Sequence, residues 1–354
     1  MSCEHQIALS IHAYYCGEFD AGRRACDRLI AGASPGDKID AMARGNRLWY
    51  QQRLVDIAPC RRVQFSAPVE PGWSLFNPTV AVHGDGLVAI ARSSNYAIVD
   101  GQYVIPPADS GQIKTHNFLT FFDRDLRQLE CHRLADPKYH KTGYEVDGLE
   151  DCRLRVLPDG LGVSATVRNV APYDGRCRIA TASLNVDKRQ LSDLVVLDGL
   201  SCQPHEKNWM PICGTRSWIY AICHDGHTVT VDPDLQTKSC HLLYQRGTAP
   251  PLCRDFRGGG QVVPFRGGWL AIVHEVAPWG HTRAYEHRWV WLDNDMQVQR
   301  VSDAFALHEF REIEFAAGLA VIDDRVIVSY GVRDAEAWML ETTGDAVWTL
   351  LTPI

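Results

Sequence analysis

From about residue 62 onward the chain alternates short apolar runs with turn-forming residues. Leu87-Val88-Ala89-Ile90-Ala91, Trp218-Ile219-Tyr220-Ala221-Ile222, Trp269-Leu270-Ala271-Ile272-Val273 and Arg325-Val326-Ile327-Val328-Ser329-Tyr330 are runs of this kind. Turns such as His83-Gly84-Asp85-Gly86, Arg266-Gly267-Gly268 and Asp323-Asp324 precede them. Runs of this length, rich in β-branched and aromatic residues and bounded by Gly and Asp, read as strands. No convincing helical pattern separates them, which predicts a β-sandwich or a propeller. Roughly 290 residues at ~50 to 60 per four-stranded blade make about five blades. No WD or kelch signature is present.

The first 60 residues have a different period. Ile7, Leu9, Ile11 and Tyr14-Tyr15 lead to a break at Gly17, and Ala21, Arg24, Ala25, Leu29 and Ile30 then recur at helical spacing up to Gly32-Ala33-Ser34-Pro35-Gly36. A third helix is predicted from about Asp37 to Leu54. Tyr14-Tyr15-Cys16-Gly17-Glu18-Phe19-Asp20-Ala21-Gly22 resembles the helix-turn-helix of a tetratricopeptide repeat. One and a half such units have no stacked neighbours to bury their faces, so the segment is expected to pack on the propeller. The predicted architecture is all-β: a helical segment over residues 1–60 and a five-bladed β-propeller over residues 61–354.

Composition narrows the function. Apolar residues make up 45% of the chain and charged residues 22%, ordinary values for a globular protein with a large core. The net charge of -7 argues against nucleic acid as the main partner, since its binders are usually basic. No apolar run reaches the length of a membrane span, and the start lacks the order of a signal peptide. The 12 cysteines include no CxxC pair and no zinc-finger spacing. A cytoplasmic protein with reduced thiols and no metal or other cofactor is the expectation.

Five ordered segments carry a resemblance. Phe76-Asn77-Pro78 is followed by Ile90-Ala91-Arg92, and Gly148-Leu149-Glu150-Asp151-Cys152-Arg153 by Glu206-Lys207-Asn208-Trp209. Then come Gly259-Gly260 with Gly268-Trp269-Leu270 and Val273-His274, and Phe315-Ala316-Ala317-Gly318 with Tyr330-Gly331-Val332-Arg333-Asp334. This series, over about residues 70 to 340, resembles the landmarks of the five-bladed glycoside hydrolase family of β-mannoside phosphorylases and β-mannosidases, which has mannosyltransferase relatives. Cys152 stands where that family usually has proline, and His224 where its phosphorolytic members carry an arginine.

The resemblance implies Asp151 as the catalytic carboxyl. Glycosidic cleavage needs an acid to protonate the departing oxygen. Strand alternation would send Glu150 and Asp151 to opposite faces and bring Arg153 to the side of Asp151. Arg92, Arg153, Arg168, Lys207 and His274 are the cationic candidates for a phosphate or diphosphate. Arg257-Gly258-Gly259-Gly260 adds a glycine-rich loop. Asn77, Asn208, Tyr330 and Asp334 are candidates for sugar hydroxyls. A hydrolase would also need a base to activate water, and Glu275 and Glu314 are candidates for that.

The expected activity is making or breaking a β-mannoside or related hexoside with inversion, from a sugar phosphate or sugar nucleotide, or by attack of phosphate. An inverting β-mannoside hydrolase and a non-catalytic glycan-binding propeller stay open as alternatives. Expected partners are a sugar phosphate, a sugar nucleotide or an oligosaccharide. The N-terminal helices offer a surface for a protein partner or a second copy of the chain.

Overall fold

The computed structural model describes residues 1–137, 139, 146–169, 176–198 and 205–354, with the backbone alone for residues 241–246. Among the described residues, five of its sheets, each built on an antiparallel run of strands, are arranged as the blades of a propeller. Blade one comprises Ser74–His83, Gly86–Ser94, Ile113–Phe122 and Gln128–Arg133. Blade two comprises Glu150–Leu157, Gly160–Val167, Arg178–Asn185 and Gln190–Val196. Blade three comprises Met210–Pro211, Trp218–His224, His227–Pro233 and Cys240–Thr248. In blade four, Arg257–Gly258 and Val263–Phe265 share the inner position, followed by Gly268–Trp279, Thr282–Leu292, Val298–Ser302 and the C-terminal Leu351–Pro353. Blade five comprises Glu314–Ile322, Arg325–Val332 and Glu336–Thr343, and its outermost strand is Arg61–Phe65, from before blade one.

That last pairing closes the ring. Arg61–Phe65 runs antiparallel to Glu336–Thr343, with Val63 opposite Met339. Closure ties the two ends of the propeller sequence together and covers the edge that Glu336–Thr343 would otherwise expose. Apolar layers fill the spaces between blades. Val88, Ile90, Leu154 and Val163 form one such layer, and Ile219, Ala271, Val273 and Val290 another. Trp209, Trp218 and Trp289 are fully buried in these layers. They fill space between sheets and are unavailable to stack on a ligand.

Before the propeller come α1 (Cys3–Tyr15), α2 (Phe19–Gly32) and α3 (Lys38–Arg47). Ser2 caps α1, Gly17 takes φ +74° in the turn, and the Asp37 carboxylate accepts the Asp40 amide at 2.8 Å to start α3. The third helix is shorter than its apolar pattern predicts. Its last turn tightens at Leu48–Tyr50, where the Tyr50 carbonyl accepts from Nε and Nη2 of Arg23 at 3.2 and 3.1 Å. Among the described residues no helix is long and apolar enough to cross a membrane.

The helices dock on blade four through buried charges. The pleat of Thr282–Leu292 sends Ala284, Glu286 and Arg288 to one side and Arg283, Tyr285 and His287 to the other. On the helix side, Arg47 meets Glu286 at 2.7 Å, Glu275 at 3.1 Å and Asp27 at 3.1 Å. Arg288 meets Asp27 at 2.6 Å and Glu275 at 2.9 Å, and Arg44 meets Glu275 at 3.0 Å. Arg254 reaches Asp40 at 2.6 Å. Burial opposes ionisation of Glu275, but Arg47, Arg288 and Arg44 outweigh it and bring its carboxyl down to about 2.

Two expectations follow. Replacing Arg47 by Met leaves Glu275 and Glu286 short of a buried counter-charge, which costs about 3 to 5 kcal/mol. Urea unfolding measures this, and a loss below about 1 kcal/mol would mean that the helices are only loosely docked. The second concerns acid. Burial pushes the His287 imidazole down to about 3 and His274 well below its ordinary value, so both are neutral in the folded protein at pH values where the unfolded chain protonates them. The unfolded state then binds more protons, and stability falls as pH drops below about 6.5, by about 1.4 kcal/mol per pH unit for each histidine. Unfolding titrations from pH 7 to 4 should show this slope, reduced by one proton in His287→Phe. An unchanged slope in that variant would contradict the assignment.

Candidate active site

The inner strands meet around a cavity of about 540 Å³. What turns side chains into it is a repeated local distortion. The ladder of blade one slips between Phe76 and Thr79, and Asn77 there has φ +46°. The ladder of blade two slips opposite the segment Glu150–Arg153, and Asp151 has φ +48°. Asn208, ahead of the inner strand of blade three, has φ +62°. Left-handed backbone costs an L residue about 1 to 2 kcal/mol, least for Asn and Asp, and bulges re-aim side chains. Three such residues on neighbouring inner edges of the ring make this cavity the candidate site.

The distortion also corrects the alternation expected from sequence. Glu150 and Asp151 both reach the same guanidinium, because the left-handed turn at Asp151 interrupts the pleat. Arg92 donates from Nη2 to Glu150 at 2.7 Å and from Nη1 to Asp151 at 3.1 Å. The Asn77 amide donates to the same Asp151 oxygen at 2.9 Å. The Arg92 guanidinium lies 5.2 Å from the Phe76 ring centre and 5.6 Å from that of Tyr96, which fixes the fork in place.

Of the residues singled out from the sequence, Asn77, Arg92, Asp151, Arg168, Lys207, Asn208, His274 and Asp334 line this cavity. Four do not. Arg153 is buried beneath it, donating to the Gly259 carbonyl at 2.6 Å and to Asn208 Oδ1 at 3.1 Å, so it braces blades two, three and four against one another. Tyr330 is buried in the layer between blades four and five, with its hydroxyl 3.2 Å from His308 Nδ1. Glu275 faces the helices, one pleat away from His274. Glu314 accepts the amides of Leu307, His308 and Glu309 at 2.7, 2.8 and 2.6 Å and so holds the loop before its own strand. His224, half-exposed at the end of its strand, also lies outside the cavity lining.

Sequence reasoning passed over Tyr96, Tyr103, Arg283 and Tyr285, which also line the cavity. Arg283 and Tyr285 carried a readable signal: they alternate with Glu286 and Arg288 along one strand, so one face had to look inward. Tyr96 precedes, and Tyr103 lies within, a hairpin, Ala97–Val99 with Gln102–Val104, that interrupts blade one and carried no such signal.

The charges are uneven. Arg92, Arg168, Lys207, Arg257 and Arg283 line the cavity against the carboxyls of Glu150, Asp151 and Asp334. Burial opposes ionisation of Asp151, but Arg92, the Asn77 amide, Arg153 and Lys207 overcome it and hold the carboxyl below its ordinary range. Asp334 goes the other way. Burial and the neighbouring charge of Asp151 raise it, although the Tyr96 hydroxyl donates to its Oδ2 at 2.8 Å. The cavity thus holds two carboxyls pushed apart, the pattern from which acid and base roles arise. His274 stacks on Tyr285 at 5.4 Å and burial keeps it neutral, so it can hydrogen-bond a ligand but adds no charge. Among the described residues no group of three or more His, Cys, Asp or Glu side chains is arranged to hold a metal ion.

No family model and no curated protein matches this chain. Solved structures do match. One is reported as belonging to the GH130 family of mannoside phosphorylases, which contains glycoside hydrolases that target β-1,2 mannosidic linkages in Candida mannan. It is 14% identical, with a TM-score of 0.52 over 82% of this chain and 95% of its own. Another is the β-1,2-mannobiose phosphorylase from Listeria innocua in complex with β-1,2-mannobiose, 14% identical, with a TM-score of 0.53 over 80% of this chain and 94% of its own. At this identity the likeness is one of fold, and the fold of this chain is the five-bladed propeller of the mannoside phosphorylases and related glycosidases.

Proposed function

We propose that the protein is a carbohydrate-active enzyme that makes or breaks a β-mannoside or related hexoside in the central cavity, with Asp151 handling the proton. The observation that carries this reading is the meeting of Asn77, Asp151, Asn208 and Asp334 with a surplus of cations in one cavity. The amides and carboxyls suit sugar hydroxyls, and the cations suit a phosphate or diphosphate. The fold it shares with mannoside phosphorylases is consistent with this chemistry and does not by itself fix it.

The proton balance follows from the electrostatics. In synthesis the bond from the anomeric carbon to a phosphate oxygen breaks, an acceptor hydroxyl attacks from the opposite face, and its proton passes to Asp151. An ionised Asp151 is ready for that step. In breakdown the phosphate attacks and Asp151 must give a proton to the departing oxygen. An anion seated among Lys207, Arg257 and Arg168 offsets the positive field that keeps Asp151 ionised, and so favours its protonated form. Hydrolysis through Glu275 or Glu314 gains no support, because both carboxylates are engaged away from the cavity.

Asp151→Asn should keep the bond to Asn77 but lose the titratable proton. Turnover of β-mannosides with phosphate, or of mannose 1-phosphate with an acceptor, should fall by about 10²- to 10⁴-fold, while ligand affinity changes much less. Full activity in this variant would overturn the role given to Asp151.

A further inference from the structure

Blade one is interrupted between its second and third strands by residues 95–112, and this insertion reaches across the cavity. Its root is rigid. Asn95 donates to Asp109 at 2.8 Å and to the Gln112 carbonyl at 3.0 Å, it accepts the Lys114 amide at 2.8 Å, and Lys114 Nζ meets Asp109 at 2.6 Å. Tyr96, at the start of the insertion, donates to Asp334 of blade five.

The tip is held differently. Gly101 sits at φ +75° against the His281 carbonyl, at the turn of the long hairpin of blade four, so closely that a Cβ would run into that oxygen. The Arg283 guanidinium lies beside the Tyr103 hydroxyl, and Tyr103 packs edge-on against Tyr96 at 5.1 Å. Blades one and four are not neighbours in the ring, so the hairpin joins them at the cavity mouth, in addition to the contact that Gln261 makes with Thr79 and Val80 at the axis. Val99, Tyr103 and Val104 remain half-exposed, and Tyr103, Ile105, Gly111 and Ile113 form a wall of the cavity.

We propose that the hairpin Ala97–Val104 is a strap, latched by Gly101 on His281 and by Tyr103 on Arg283, that limits the size of the glycan the cavity accepts. This rests on reading the cavity as a glycan site. With the strap latched, the outer wall is fixed and the cavity accepts a sugar carrying one short extension. A longer chain must lift the strap. The tip has few contacts to lose, whereas the root, bonded through Asn95 and Asp109, stays in place and serves as the hinge.

Gly101→Val places a branched side chain where neither the backbone angle nor the His281 carbonyl tolerates it, and Gly101→Ala is the milder form. The tip is exposed, so both variants should fold, as a thermal melt will show. Two readouts are taken on the whole chain. Hydrogen exchange of residues 97–104 should be slow in the natural protein and at least tenfold faster in Gly101→Val. Calorimetric titration with β-mannooligosaccharides of two to six units should show affinity falling by at least tenfold beyond the shortest members in the natural protein, and this fall should vanish in Gly101→Val. If all lengths bind equally to the natural protein, the strap is not a size limit and the glycan reading stands. If no length binds either protein, the glycan reading fails and the size limit with it. If residues 97–104 exchange freely in the natural protein, the latch does not exist.

Discussion

Five inner strands have to approach one axis closely yet leave room for a cavity above. Side chains are the obstacle, and glycines remove it where the crowding is worst. A Cβ at Gly260 would meet Gly318, one at Gly318 would meet Thr79 and Val80, and one at Gly331 would meet Asn77. Gln261 then ties the axis together, its carbonyl oxygen accepting the Leu319 amide at 3.3 Å while its amide donates to the Val80 carbonyl. Arg153 does the same from blade two. Once the strands have converged, the bulges at Asn77 and Asp151 turn polar side chains upward out of the packed axis. The site is therefore a by-product of closing the ring, and the strain at Asn77, Asp151 and Asn208 is sustained because the surrounding packing permits no relaxed alternative.

Charge follows from the same convergence. Arg92 is buried and bound by two carboxylates, so it orients Asp151 more than it attracts ligands. Lys207 and Arg257 are exposed toward solvent and add positive charge to the cavity. A chain of net charge -7 thus keeps a local positive cavity. Behind blade four the opposite arrangement holds: Arg44, Arg47 and Arg288 are matched by Asp27, Glu275 and Glu286, and this dense pairing anchors the helices. One strand face serves the cavity and the other the helical segment, so His274 and Glu275, adjacent in sequence, belong to unrelated environments.

The strand pattern and the turn residues narrowed the fold to a β-sandwich or a propeller, and chain length together with the ordered landmark segments pointed to five blades. The landmark residues were legible only through the family resemblance, and ring closure is what brings Asn77, Arg92, Asp151, Lys207, His274 and Asp334 to one cavity. What sequence could not show was the direction of individual side chains at a bulge. Arg153 was expected beside the Asp151 carboxyl and instead lies beneath it, and Glu150 was expected on the far face and instead shares Arg92. Tyr330, Glu275 and Glu314 were attractive as polar residues near landmarks, but a pleat one residue out of phase commits each to the core, the helices or a loop. The hairpin bearing Tyr103 was invisible because its partner, His281 on blade four, is about 180 residues away along the chain.

We infer that this converged cavity is built for an anionic sugar. Calorimetric titration with mannose and with mannose 1-phosphate at low salt tests it most directly. The phosphorylated ligand should bind at least tenfold more tightly, a difference of about 1.4 kcal/mol. Equal affinity for the two, alongside real binding of neutral oligosaccharides, would contradict the claim.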